Sequence, residues 1–480
     1  MSLAAQLAAQ EPRLTEDGTG PLAAGEFAAL RDAYAAQMAG SNRPVALLAA
    51  NAIATLAFES ACALSGRPLL VLPAFFSEEI LRHAVEEVRP EWLACDDPAL
   101  ATRLGGLLSA EGFDGLCLWR MPGEAAALPP PGTARITYTS GSTARPKGIC
   151  LPWPAIERSA AALRQAIGAG ADDVFLSFMP YSILLETMTG FYLPLLCGSR
   201  AVVLPGIRLP LADPVRILAA IREHGVTVTV MMPQMLRDLC HHLRQHPDEA
   251  PTSLRFIGVG GAKVGRRLVE EALALGLPIG EGYGLTEAGS VVCLNRPGAG
   301  RPGSVGRPLD HIRLAIAADG EVLLAGAGAS CLLDGSAPFW HEGWLSTGDL
   351  GEVDEAGYLW ITGRKKNLFI SSQGRNLSPE WLEDELLAER GLQRAFVFGE
   401  GRPAPLALVC GELGEDCLET LRRRLNQGLP AHARLASIRR VAADFFLSPG
   451  LLTGNGRFVR PACEAAASPL FDTHKPGDPI

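Results

Sequence analysis

Tyr138-Thr139-Ser140-Gly141-Ser142-Thr143-Ala144-Arg145-Pro146-Lys147-Gly148 packs hydroxyls, two glycines and one lysine into a single turn. It follows Arg135-Ile136-Thr137, whose pattern predicts a short buried strand. Backbone N–H groups exposed beside glycine, together with Ser and Thr hydroxyls, can surround phosphate oxygens, and a lysine adds a point charge. The Walker pattern is excluded, because the Gly-Lys-Ser/Thr order is missing and Pro146 precedes the lysine. Taken alone, the stretch is equally well a polar loop between two elements.

Working outward, the text on both sides alternates strand and helix. Ala54 to Leu64 and Glu78 to Val88 read as helices, and Leu69 to Leu72 and Glu91 to Cys95 as buried strands. Beyond the turn come a helix from Ala155 to Ala169 and strands at 174–178, 201–204, 226–232 and 254–259. This alternation predicts an α/β fold with parallel sheets and crossover helices. Strand 277–280 runs into Glu281-Gly282-Tyr283-Gly284-Leu285-Thr286-Glu287, and strand 254–259 into Gly260-Gly261-Ala262. Ligands bind at such carboxyl ends of open sheets. The apolar run from Ile183 to Leu196 must be buried, and Glu186, its only charge, reads as an N-terminal helix residue favoured by the macrodipole. Residues 300–362 suggest a small β subdomain, and 365 to about 460 a charged α+β region.

At 480 residues the length suggests roughly three compact units. The expected division is an N-terminal domain of residues 1–364, a C-terminal domain of 365–463 and a flexible tail of 464–480. The net charge of −9, with no stretch joining basic and aromatic residues, argues against a nucleic-acid partner. Eleven scattered cysteines without a CxxC pair predict neither a disulfide framework nor a cysteine zinc site. Cys240-His241-His242 with His246 lacks metal-ligand spacing and reads as helix surface. No basic n-region begins the chain and no apolar run approaches a membrane span, so a cytoplasmic protein is expected.

Four segments occur in one order: the Thr-Ser-Gly-Ser-Thr turn, Tyr283-Gly284-Leu285-Thr286-Glu287, Ser346-Thr347-Gly348-Asp349, and Gly363-Arg364-Lys365-Lys366-Asn367. Together they resemble the adenylate-forming superfamily of acyl-CoA synthetases, nonribosomal adenylation domains and luciferases, over roughly residues 45–460. The resemblance implies a large N-terminal domain, a small mobile C-terminal one, and use of ATP with Mg²⁺. It implies that Thr139, Ser140, Gly141, Ser142, Thr143 and Lys147 hold the β and γ phosphates. Thr286 would touch the α-phosphate, and Glu287 would ligate the metal. Tyr283 and Gly284 would lie on the adenine, with Gly260, Gly261 and Ala262 on its other side. Asp349 and Arg364 would take the ribose, Lys366 the hinge, and Gly374 the passage of a pantetheine arm. The implied activity is acyl-adenylate formation from a fatty or aryl acid, then transfer to the thiol of CoA or of a carrier protein.

Leu184-Leu185-Glu186-Thr187 and the text from Lys365 to Glu380 are similar to long-chain acyl-CoA synthetases. Met179-Pro180-Tyr181-Ser182 holds no acid for a substrate amine, which speaks against an α-amino acid. Three departures stand out. Ala144 replaces a usual glycine, at a cost of ~1 kcal/mol if φ is positive there. Ile183 replaces a common histidine, and Arg457 stands where relatives place the lysine of adenylation. Arginine keeps the charge but presents a planar fork. This substitution leaves two alternatives to a working ligase: a relative that only binds an acyl-adenylate or a carrier protein, or an adenylating enzyme with another second step, such as β-lactone closure.

Overall fold

A computed structural model describes the chain apart from residues 1, 114, 124–127, 140–145, 206–212, 329, 371–373, 443, 449, 454–456 and 473–480, and the side chains of 110–113, 139 and 472. The chain divides into two compact units. One comprises Met1–Val264, Val269–Ala315 and Leu323–Ser346; the other comprises Gly265–Leu268, Ile316–Val322 and Thr347–Ile480. The longest segment of the second unit starts at Thr347, within the strand Trp344–Val353.

The first unit contains two large sheets. Among the described residues, one has nine strands in the order Arg307–Pro308, Ser290–Leu294, Ile279–Leu285, Phe256–Val259, Val228–Met231, Val174–Ser177, Arg200–Val203, Arg13–Glu16, Gly20–Pro21. The other has eight: Cys331–Leu332, Lys147–Pro152, Thr133–Thr139, Leu69–Val71, Val45–Leu48, Trp92–Cys95, Leu116–Arg120, Leu107–Phe113. Their central strands pair in parallel. Every residue of Val45–Leu48, Leu69–Val71 and Trp92–Cys95 is buried, as a sheet covered on both faces requires. Local signals set the helix ends. Asp213 accepts from the Val215 N–H, Pro214 occupies the first turn, and Gly225 closes the helix Pro214–His224 in the left-handed conformation.

The second unit holds a three-stranded sheet, with Leu392–Phe398 antiparallel to Leu406–Gly411 and that strand parallel to Ser437–Arg440. Helices Pro379–Leu387 and Glu415–Gly428 contribute Leu382, Leu386, Leu418 and Leu421 to one of its apolar clusters. A third helix, Arg460–Asp472, occupies part of the tail expected to be flexible from Glu464. Its Cys463 and Ala467 are buried in a cluster with Phe396, Phe398 and Phe446, so apolar packing holds the helix despite Pro469.

Three local features add to what the sequence shows. Residues 1–40 contain a strand, Arg13–Glu16, that joins the nine-stranded sheet beside Arg200–Val203. Lys147–Pro152 is a strand, so the opening stretch bridges a hairpin. Glu186 does stand in the first turn of its helix. Its helix is only Leu184–Thr187, it continues as a π-helical turn Met188–Tyr192, and the carboxyl is fully buried. No helix of the described residues is long and apolar enough to cross a membrane. None of the eleven cysteines is in a disulfide.

Candidate active site

In the first unit the antiparallel register sets Thr139 opposite Lys147 and Tyr138 opposite Gly148. Residues Ser140, Gly141, Ser142, Thr143 and Ala144, the centre of the expected phosphate clamp, lie outside the described residues. What is placed is their frame. Lys147 is exposed at the start of its strand, and its charge helps hold the Asp334 carboxyl below the usual range, after the larger effect of hydrogen bonds from Ser336. Tyr138 anchors the other strand, its hydroxyl donating to Glu87 Oε2 at 2.5 Å.

Tyr283-Gly284-Leu285 end the strand Ile279–Leu285, which turns from a parallel partner (Phe256–Val259) to an antiparallel one (Ser290–Leu294). A register shift falls between Tyr283 and Gly284. A β-carbon on Gly284 would lie 1.9 Å from the Ser290 carbonyl oxygen, so this close approach admits only glycine. Ser290 itself is buried with φ of 106°, a strained conformation for a residue with a side chain. Thr286-Glu287-Ala288 form a 3₁₀ turn, and Ser330 Oγ donates to the Glu287 carbonyl. Tyr283, Thr286 and Glu287 are half-buried. Gly260, buried, ends the neighbouring strand beside the Gly282 carbonyl, while Gly261 and Ala262 are exposed. Gly284→Ala should separate the two strands, costing about 2–4 kcal/mol of stability. Denaturant unfolding measures this, and an unchanged midpoint would contradict the close approach.

In the second unit Asp349 and Arg364 face each other across an antiparallel pair. Arg364 Nε donates to Asp349 Oδ1 at 2.5 Å and Nη2 to Oδ2 at 3.4 Å. Asp349 is 2% exposed. Its strand is fixed by the Thr347 hydroxyl on the Val322 carbonyl (2.7 Å) and by the Gly348 N–H on Glu321 (2.8 Å). Lys365 turns away to Asp319 and Glu321, at 2.7 and 2.8 Å. Lys366 does not. Crowding by protein, then repulsion from Arg364 and Arg457, holds its pKa below the ordinary lysine value, with Asp349 and Glu380 acting oppositely.

Arg457 reaches the same field. Its backbone N–H donates to Thr453 Oγ1 (3.1 Å), and its carbonyl accepts the Thr453 N–H (2.8 Å), which pins the base of the loop. The side chain is solvent-exposed although protein surrounds it. That crowding, then the charge of Arg364, holds its pKa below the usual arginine range, with Asp349 opposing, and exposure keeps it charged. Arg364, Lys366 and Arg457 therefore gather around one buried carboxylate, a net positive cluster suited to an anionic ligand. Gly374 is exposed, with φ of 69°.

A profile of AMP-binding enzymes matches residues 25–330. The chain belongs to the AMP-binding enzyme family. Among relatives, it is 31% identical over 308 residues to a 2-succinylbenzoate–CoA ligase of Bacillus cytotoxicus, covering 58% of this chain and 61% of that one. It is 28% identical over 406 residues to the 2-succinylbenzoate–CoA ligase of Bacillus cereus, covering 78% and 80%. The chain thus spans under two thirds of the first of these and more of the second. Its fold is similar to that of o-succinylbenzoate CoA synthetase from Bacillus subtilis in complex with an acyl-adenylate, with a TM-score of 0.78, 22% identity and 96% coverage of both chains. That likeness supports the α/β architecture of large and small parts.

Several buried polar groups make contacts that the sequence does not show. Glu186 accepts from Ser177 Oγ (2.6 Å) and the Phe178 N–H (2.9 Å). Asn51, Glu59, Arg135 and Tyr192 form a further buried group. The available signal was a charge inside an apolar run: Glu59 within Ile53–Ser65 and Glu186 within Ile183–Leu196.

Proposed function

We propose that this chain activates a carboxylic acid with ATP and transfers the acyl group to a thiol. In the first step a carboxylate oxygen bonds to the α-phosphorus, the bond from that phosphorus to the bridging oxygen breaks, and pyrophosphate leaves. In the second, a thiolate bonds to the acyl carbon and AMP departs with the former carboxylate oxygen, the thiol proton going to solvent. Both reactants of the first step are anions, so charge neutralisation is the protein's main task.

The observation that carries this reading is the Asp349–Arg364 pair with Arg457 and Lys366 in its field. Asp349 would accept from the ribose hydroxyls, with Arg364 hydrogen-bonded beside it. Arg457 would bridge carboxylate and α-phosphate. Lys147, with the clamp Thr139, Ser140, Gly141, Ser142 and Thr143, would neutralise the leaving pyrophosphate. Thr286 would donate to the α-phosphate, and Tyr283, Gly284, Gly260, Gly261 and Ala262 would enclose the adenine. Glu287 is a half-buried carboxylate on a fixed turn, a hard oxygen donor that fits Mg²⁺. When bound, the metal would supply further neutralisation of phosphate charge. Lys366 and Gly374 keep the roles of hinge and pantetheine passage.

For the acid, the names of the relatives favour an aryl acid over the fatty acid suggested by the sequence. An α-amino acid has no counter-ion at Met179–Ser182, and the nearby Glu186 is fully buried and bonded through Oε1 to Ser177 and the Phe178 amide. ATP–pyrophosphate exchange across aryl and fatty acids should show activity with an aryl acid. Product analysis with CoA, with a pantetheinylated carrier and with neither identifies the acceptor and would reveal β-lactone closure. Silence of folded protein across the panel overturns the reading.

A further inference from the structure

Within the first unit, the segment Phe178–Ser182 follows a strand of the nine-stranded sheet, yet groups from the eight-stranded side hold it. Asn51, just past the strand Val45–Leu48, accepts the Tyr181 N–H at 2.9 Å and donates from Nδ2 to the Met179 carbonyl. Arg135, in the strand Thr133–Thr139, donates from Nη2 to the Tyr181 carbonyl at 2.8 Å and from Nη1 to Glu59 at 3.1 Å. The Tyr192 hydroxyl, on the π-helical turn, donates to the same Glu59 oxygen, and Thr187 Oγ1 adds a bond to the Tyr181 carbonyl at 2.6 Å. Arg135 is 2% exposed, Glu59 3% and Tyr192 0%.

This seam is poorly built for stability. A buried ion pair recovers its desolvation cost only when all its polar atoms are matched. Here Glu59 Oε2 and Arg135 Nε are buried without a protein partner, each costing about 1–3 kcal/mol. What the pair does well is directional. Arg135 lies four residues before Thr139, on the strand that leads into the expected phosphate turn, and its planar fork grips the backbone of the segment beside the expected acyl pocket. A point charge or an apolar side chain could not fix both ends.

We propose that Arg135, held by Glu59 and Tyr192, is a positioning residue that sets the Phe178–Ser182 segment in register with the strand entering the phosphate turn. This rests on the acid-activating reading above. The consequence is that a polar bridge between two sheets helps align acid and nucleotide, beyond the side chains that touch either ligand.

The test separates positioning from folding. In the double variant Arg135→Met/Glu59→Leu the charges leave together, so thermal stability should match or exceed that of the parent. Backbone exchange at Tyr181, followed by hydrogen–deuterium exchange, should rise about tenfold or more as its clamp loosens. The acid kcat/KM should fall by about 10²-fold through misalignment, with the KM for ATP little changed. Arg135→Lys, restoring the charge without the fork, should recover the fold but only part of the acid kcat/KM. A double variant that keeps both exchange and acid turnover overturns the proposal. One that loses cooperative melting shows the seam to be a structural brace, which also overturns it. If the parent protein turns over no acid, the activity assignment fails, while the Tyr181 exchange still decides whether Arg135 positions the segment.

Discussion

Arg457→Ala should lower ATP–pyrophosphate exchange by about 10²–10³-fold, the usual loss when one pre-placed donor to developing negative charge is removed. Thioester formation from a supplied acyl-adenylate should change far less, because that step departs from an already activated carbonyl. The asymmetry follows from charge. Arg364 is committed to Asp349 through a 2.5 Å bond, and Lys365 to Asp319 and Glu321. Losing Arg457 therefore removes a positive charge that acts beside Arg364 and Asp349, where two anions would meet. Arg457→Lys should retain substantial exchange if charge suffices, and lose about tenfold or more if the bidentate fork is used. A parent protein silent in exchange, made active by Arg457→Lys, would instead favour the relative that binds an acyl-adenylate without making one. Equal exchange rates in the parent and Arg457→Ala would remove Arg457 from the mechanism.

Most of the fold could be read from the chain because its signals are local. Strands such as Leu69–Val71 and Phe256–Val259 are short apolar runs, and helix Pro214–His224 carries its own cap, proline and terminal glycine. What escaped were elements stabilised by partners distant in sequence. Arg13–Glu16 is a strand only because Arg200–Val203 lies beside it. Lys147–Pro152 pairs with Thr133–Thr139 and has no strand reading of its own in the sequence. For the candidate site, residue order points to Tyr283 to Glu287, Asp349 and Arg364, since spacing within a motif is visible in one dimension. The Arg135–Glu59–Tyr192 group was hidden, because Glu59 and Tyr192 are 133 residues apart and neither belongs to a recognisable motif.

Glu186 offers the second large effect, on stability and in one pH window. Burial pushes its carboxyl up to about 8, while bonds from Ser177, Phe178 and Met179 act the other way. The absent side chain of Gly190 makes room for it: a β-carbon there would stand 2.5 Å from Ser177 Oγ and 3.2 Å from Glu186 Oε1. In the unfolded chain the group titrates near ~4.3. Below that pH both states hold the proton and the contribution is complete. Between there and about pH 8 only the folded state keeps it, so stability falls as pH rises, by ~1.4 kcal/mol per unit and several kcal/mol in all. Above the folded value both states are ionised and the slope from this group ends. Glu186→Gln preserves the acceptor for Ser177 and Phe178 but carries no proton to lose. Denaturant unfolding of both proteins at pH 6, 7, 8 and 9 should therefore show the variant gaining on the parent up to pH 8 and holding its lead at pH 9. The carboxylates held below their usual range, such as Asp173 beside Arg255, are common to both proteins and cancel in the difference. Parallel curves across the range would mean that Glu186 is ionised when folded. Its unmatched Oε2 would then require a cation or water in the core beneath the Phe178–Ser182 segment.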